Sequence, residues 1–275
     1  MSINPKDNTF LKKIPIIQSL TILISGMLIS CAILMVAGVP NQIAKSINRI
    51  LPRFANYGEF KDISDYTNFN SIFTSQPRIS FNNNARLLFV ETSDVNCINC
   101  ANFHGYNSSD NTYSYNRLLE EYVREGKMDY IFIDTLVFDS IQKHNSSYCV
   151  AEQSPRAFFE YKSKLYKGYG TNFDVNVAIG YAQSLGIDIN RFTDCFNSNK
   201  YEERVNRLSL FAQNILGTQS TPTFHIYRMT PKEIIRADGS RVREIEFTSL
   251  NTINGNVDFN LSMKPVLDNF VNQYN

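Results

Sequence analysis

The chain has 275 residues, long enough for one large domain or two small ones. Its 27 Lys and Arg are balanced by 26 Asp and Glu, and no dense basic block stands out, which argues against nucleic acid or another polyanion as partner. Hydrophobic residues make up 43% and aromatic residues 13%, sufficient for a sizeable core, while five cysteines are too few for a small disulfide scaffold.

Residues 1–13 form a short tail. Residues 14–39 carry no charged side chain. About 20 apolar residues cross a bilayer core, so this run is long enough with some tilt. A soluble helix of that length would present a polar face. The segment therefore reads as one transmembrane anchor. Two alternatives stand beside it. A cleaved signal peptide usually has an apolar core of about 7–15 residues, shorter than this run. Leu28, Ile29, Ser30 and Cys31 resemble a lipobox, which would make Cys31 a lipidated first residue, but the residues after it stay strongly apolar. Cys31 is more simply a small apolar side chain in a membrane helix. Lys6, Lys12 and Lys13 precede the run and Lys45, Arg49 and Arg53 follow it, so charge does not orient it. Residues 40–76 mix Asn, Ser, Asp, Pro and scattered aromatics without a sustained period and read as a tether.

The remainder, residues 77–275, reads as one domain. Residues 86–91 are a short apolar run bounded by turn residues, a buried strand. Residues 98–104 begin a helix, residues 113–124 have helical spacing, and Gly126 stops them. Residues 129–137 form a second buried strand, which makes this opening a β-α-β unit. A helical stretch at about 140–216 follows, broken at 168–170, 186 and 197–199. Residues 223–228 and 243–248 read as strands, and 261–274 as a closing amphipathic helix. No repeat of solenoid period is present.

The chemistry concentrates at Cys97-Ile98-Asn99-Cys100. Cys97 falls where a strand and loop lead into a helix. The unpaired N–H groups and partial positive charge of a helix start stabilise a thiolate, and cysteines so placed ionise in the range of about 3.5–7.5. Cys97 is thus the candidate nucleophile. Cys100, one turn on, is placed to resolve a mixed disulfide. A Cys-x-x-Cys also opens haem and zinc sites. Haem attachment needs His directly after the second Cys, where Ala101 stands. Zinc would draw on Cys97, Cys100, His104 and either Cys149 or Cys195, but no second Cys-x-x-Cys or close His pair completes the set. Thr221-Pro222-Thr223-Phe224 is the second element: a proline before a strand, after a small polar residue, fits a cis-proline turn beside the dithiol.

Residues Asp94-Val95-Asn96-Cys97-Ile98-Asn99-Cys100-Ala101-Asn102-Phe103-His104 resemble the active-site segment of DsbA-like thiol–disulfide oxidoreductases of the thioredoxin superfamily, in their membrane-anchored bacterial form. Cys149-Val150-Ala151-Glu152-Gln153, with Phe158-Phe159-Glu160-Tyr161 after it, resembles the start of that family's inserted helical domain. Residues 185–188 and 192–201 resemble its later helices, and residues 216–224 its cis-proline segment. The resemblance covers about 79–227 and returns in the last helix. It implies an α/β thioredoxin-like fold with a helical insertion. It assigns Cys97 as nucleophile and Cys100 as buried resolving cysteine. Glu91, six residues before Cys97, matches a buried acid that relays protons to the resolving thiol. A surface carboxylate at a strand end is the plainer alternative. Ile98, Asn99, Thr221 and Pro222 would shape the substrate groove.

Two departures stand out. Ile98-Asn99 replaces the Pro-His or Pro-Tyr frequent in the family, and the stretch 229–256 is longer than the turn expected there. Cys149 and Cys195 read as a structural disulfide whose loop closure would contribute roughly 4 kcal/mol in the chain-entropy view. Two buried free thiols are the alternative. His104 and His144 carry little signal, and His225 reads as a strand residue.

The expectation is a protein disulfide oxidoreductase, an oxidase before a reductase or isomerase, acting on cysteine-containing secreted or cell-envelope proteins. Its redox-active disulfide takes the place of a cofactor, and no metal is expected. A quinone-coupled membrane thiol oxidase would regenerate it, with the domain held outside the cytoplasm by the anchor. The competing expectations are a non-catalytic peptide-binding module on the same scaffold and a zinc-binding protein.

Overall fold

Two runs of buried side chains set the sheet. Every residue of β2 (Leu87–Ser93) and β3 (Asp129–Asp134) is buried, the pattern of strands covered on both faces. In the computed structural model, which describes residues 56–274 except 59, 110, 111, 237 and 256, these strands pair in parallel from Leu88↔Asp129 to Ser93↔Asp134. A short β1 (Arg78–Ile79) lies antiparallel to β3. β4 (Thr223–Ile235) runs antiparallel to β2, and β5 (Arg241–Asn254) antiparallel to β4, giving the order β1-β3-β2-β4-β5. This is a thioredoxin-like α/β arrangement.

Between β2 and β3 lie α2 (Ile98–Phe103) and α3 (Ser114–Leu118), the latter continuing as a π-helical turn at Leu119–Val123. Gly126, at φ 70°, ends that segment. The insertion then supplies five helices: α4 (Ile141–Ala151), α5 (Pro155–Lys167), α6 (Val175–Gln183), α7 (Ile189–Asn197) and α8 (Glu202–Asn214). Their starts are chemically marked. Ser154, Asp174 and Asp188 each accept backbone N–H groups of the first turn, and Pro155 follows Ser154, as N-cap preferences demand. Gly186 and Asn199 take positive φ just past α6 and α7, two of the breaks visible in the sequence. Cys149 of α4 and Cys195 of α7 are joined in a disulfide with Cα atoms 5.7 Å apart. A π-helical turn at Phe259–Met263 leads into the closing helix α9 (Lys264–Tyr274).

The structure corrects four sequence expectations. Residues 56–76 are not tether. Asn56 and Ser80 form a bridge, and helix α1 (Phe69–Ser75) starts at the Asn68 side chain. Phe73 is fully buried, with ring centroids 5.3 Å from Tyr227 and 5.0 Å from Phe247. The aromatics that look aperiodic in sequence gain their meaning from partners far along the chain. Second, the strands expected at 223–228 and 243–248 are one long hairpin, because the alternating residues beyond them keep pairing from Met229↔Phe247 to Ile235↔Arg241. Third, β3 stops at Asp134 and not at 137, since Val137 and Phe138 donate their N–H groups to the Asp94 side chain instead of to a strand. Fourth, the segment 113–124 changes from α to π geometry after Leu118.

The expected anchor at 14–39 and Cys31 lie outside the described residues. Among the described residues no helix is long and apolar enough to cross a membrane.

Phe73→Ala is expected to cost about 3–5 kcal/mol of stability in denaturant unfolding, the usual price of removing a buried aromatic. A tether residue in its place would give almost no change.

Candidate functional site

Cys97 is the N-cap of α2, with φ −90° and ψ 123°. Its N–H donates to the Asp94 carbonyl at 3.0 Å, and its own carbonyl accepts from Ala101 at 2.9 Å. The residue is 5% exposed, whereas Ile98 beside it is 40% exposed and Asn99 is exposed. The sulfur reaches the other side of the site: the Cys97 thiol donates to the Thr221 carbonyl at 3.2 Å, just before the cis Thr221–Pro222 bond. Thus Cys97, Thr221 and Pro222, which are far apart in sequence, meet at one point.

The surroundings favour ionised sulfur at Cys97. The Cys100 thiol donates to it, burial opposes, and the Thr221 side chain with the backbone N–H groups of Cys100 and Asn99 adds further donors. The net result is a Cys97 thiol pulled down to about 6. Cys100 is fully buried, and both that burial and the neighbouring Cys97 sulfur push its thiol strongly up. Two thiols one turn apart thus divide into an ionised one and a protonated one, the asymmetry that an attacking and a resolving cysteine require.

Beneath Cys100 lies a buried polar column. Glu91 is fully buried in mid-strand. Its Oε1 lies 2.9 Å from His104 Nε2, and its Oε2 accepts from the Tyr130 hydroxyl at 2.7 Å. The His104 ring stacks on Tyr166 at 4.0 Å and 5°, and the Tyr166 hydroxyl donates to Ser93 Oγ at 2.9 Å. Ser93 in turn hydrogen-bonds Cys100. Glu91 is therefore not a surface carboxylate. Sequence reasoning missed His104 as its partner. The available signal was its position four residues after Cys100, which places both on one face of α2.

The loop after β3 flanks the dithiol. Asn96 donates from its side chain to the Asp139 carbonyl, and Val137 and Phe138, each 51% exposed, stand on this loop. Ile98, Val137 and Phe138 are thus exposed apolar side chains on the two segments that Asp94 and Asn96 tie together. Cys149 and Cys195 belong to the insertion and are bonded to each other. His104 Nε2 is on Glu91; of the zinc set weighed from the sequence, Cys149 and Cys195 are bonded to each other while Cys97 and Cys100 are free thiols.

The chain belongs to the thioredoxin family, whose model, described as Thioredoxin, matches residues 77–233. Within that family its fold is that of the DsbA-like thiol–disulfide oxidoreductases, in agreement with the resemblance carried by residues 94–104 and 216–224. It is similar to Wolbachia pipientis α-DsbA1 at 20% identity and a TM-score of 0.53, covering 69% of this chain and 88% of that one. It is similar to oxidised BdbD from Bacillus subtilis at 15% identity and a TM-score of 0.55, covering 79% and 98%. A thiol–disulfide exchange protein, α-DsbA2 from Wolbachia pipientis, aligns at 20% identity and a TM-score of 0.51, covering 71% and 87%. At these identities what is shared is the fold. No curated protein matches the sequence.

Alkylation of Cys97 against pH is expected to follow a midpoint at about 6, with Cys100 unreactive in the folded reduced chain. Because the folded value lies below the ordinary thiol value of 9.0, ionisation stabilises the reduced fold. That contribution is fully present above the ordinary value and disappears as pH falls through about 6. Unfolding of reduced and oxidised chains compared across that window tests the sign, since the oxidised chain lacks the ionising group.

Proposed function

We propose that the chain is a thiol–disulfide oxidoreductase that introduces or exchanges disulfides in cysteine-containing client proteins through Cys97 and Cys100. One observation carries this reading: the Cys97 sulfur stands at the head of α2, 3.2 Å from the Thr221 carbonyl and flanked by the exposed Ile98 and Asn99, in surroundings that pull its thiol down to about 6. In the oxidised chain a client thiolate attacks Cys97 Sγ. The Cys97–Cys100 bond breaks, and Cys100 leaves as a thiolate that takes up a proton. A second client thiolate then attacks the client sulfur of the mixed disulfide and releases Cys97 as a thiolate. A well-stabilised leaving thiolate favours this second step and makes the enzyme's disulfide oxidising. Oxidation is therefore the preferred direction.

Cys100 is the group that needs a proton, since its thiol is pushed strongly up. Glu91, backed by His104 and Tyr130, is the relay in this reading. Thr221 and Pro222 line the groove for an extended client segment, with Val137 and Phe138 as its apolar side. No further cofactor is called for, because the dithiol itself carries the electrons. The client's electrons leave through a membrane thiol oxidase that restores the disulfide. The apolar run 14–39 tethers the domain outside the cytoplasm, where disulfides persist.

Equilibration of the Cys97–Cys100 couple with glutathione is the decisive test. A potential of about −120 to −180 mV marks an oxidase or isomerase, and one of about −270 mV a reductase. Cys97→Ser is expected to abolish exchange. A folded wild-type chain without any exchange defeats the proposal. Glu91→Gln is expected to slow closure and opening of the Cys97–Cys100 disulfide by about 10- to 100-fold, the low end for loss of general acid–base help. The alkylation midpoint of Cys97 should hold. Stopped-flow thiol exchange measures the first effect and pH-dependent labelling the second.

A further inference from the structure

Three residues before Cys97, the Asp94 carboxylate performs work that neither the dithiol nor the Glu91 column explains. The residue is fully buried. Its Oδ1 accepts the Asn96 N–H at 2.8 Å, and its Oδ2 accepts the N–H groups of Val137 and Phe138 at 2.8 and 2.9 Å. One side chain thus binds the loop before α2 to the loop after β3. Its backbone carbonyl also takes the Cys97 N–H. An ionised carboxylate is the right group here, since all three partners are donors and two of them share one oxygen.

A second buried cluster stands against it. His144 of α4, fully buried, hydrogen-bonds Asp134 Oδ1 at the end of β3 through Nδ1. Lys162 of α5 hydrogen-bonds the same oxygen and lies over the Phe132 ring at 4.5 Å. His144 Nε2 has no hydrogen-bond partner; Asp94 Oδ1 lies 3.7 Å from it. Other charged or titratable groups also face this cluster. Lys143 of α4 feels Asp94 and donates to Asn96 Oδ1 at 2.7 Å. The Tyr148 hydroxyl faces Asp134, and Glu91 faces Lys162.

Lys162 Nζ also stands 3.0 Å from His144 Nδ1, so that nitrogen is already held between the Lys162 amine and the Asp134 carboxylate. Nε2 is the ring nitrogen left to face Asp94. A proton on Nε2 turns a donor toward that carboxylate, whereas a bare Nε2 would set a lone pair against a second buried anion in a low-dielectric interior.

We propose that Asp94 is a positioning residue for Cys97, and that His144, with its Nε2–H turned to Asp94 and its Nδ1 on Asp134, holds the Asp94 carboxylate in place. The consequence for the sulfur is direct. Cys97 ionises because the N–H groups of Asn99 and Cys100 and the side chains of Cys100 and Thr221 converge on it. That convergence depends on where the loop 94–97 sits. The insertion helices α4 and α5, which contribute no atom to the dithiol itself, thereby set the reactivity of Cys97.

The inference rests on Cys97 being the reactive sulfur, but its test needs no client protein. Two-bond nitrogen–proton NMR of His144 in the full reduced chain is expected to show a proton on Nε2. A bare Nε2 overturns the role given to His144. Asp94→Asn and His144→Gln are expected to move the Cys97 alkylation midpoint upward, slowing alkylation in mildly acidic buffer by about tenfold. The two changes together should exceed either alone by little, because both act through the same carboxylate. A folded Asp94→Asn chain, with its Cys149–Cys195 disulfide intact and an unmoved midpoint, overturns the role given to Asp94. If Asp94→Asn does not fold, His144→Gln decides by the same midpoint. Should wild-type Cys97 alkylate normally, with the variants shifted, while no disulfide exchange is found, the proposed function fails and this inference stands.

Discussion

The site depends on one sulfur being better solvated by the protein as an anion than as a thiol. Cys97 is nearly buried, and burial alone would keep it protonated. The Cys100 thiol, the Thr221 side chain and two backbone N–H groups of α2 reverse that preference. They come from two parts of the fold: α2, the helix after β2, and the turn before β4. The antiparallel β2–β4 pair holds these two parts in register.

The same arrangement explains why the two cysteines differ although they share a motif. Cys100 faces inward, onto Ser93 and the Glu91–His104–Tyr166 column, where burial and the Cys97 sulfur outweigh the hydrogen bonds from Ser93 and the Asp94 backbone. Cys97 faces the Thr221 side and receives donors. The asymmetry belongs to the direction of each side chain on α2. The residues between them, Ile98 and Asn99, are exposed.

Much of this was legible in the chain itself. The Cys97–Cys100 spacing, the strand before it, the proline turn at Pro222 and the helix-breaking Gly186 and Asn199 each follow a local rule, and local rules survive folding. What was not legible has a common cause. His104 reads as an ordinary helix residue until β2 brings Glu91 to its ring. Asp94 looks like a turn residue until the loop after β3 presents two N–H groups to it. Phe69 and Phe73 look scattered until Phe211, Tyr227 and Phe247 surround them. Pairings across long stretches of sequence leave no period to count. The extra length of β4 and β5 was visible only as a stretch longer than a turn needs.

That hairpin carries a consequence of its own. Among the described residues β5 ends the strand order, so one row of its N–H and C=O groups has no strand beside it there. A protein whose proposed partners are extended chains runs the hazard of acquiring one as a sixth strand. The outer stretch answers with charge: Arg241, Arg243, Glu244 and Glu246, braced by Glu233 and Lys232 across the hairpin. An extended segment settling along that rim would have to strip water from several ionised side chains. The rim therefore discourages the adhesion of extended chains along β5.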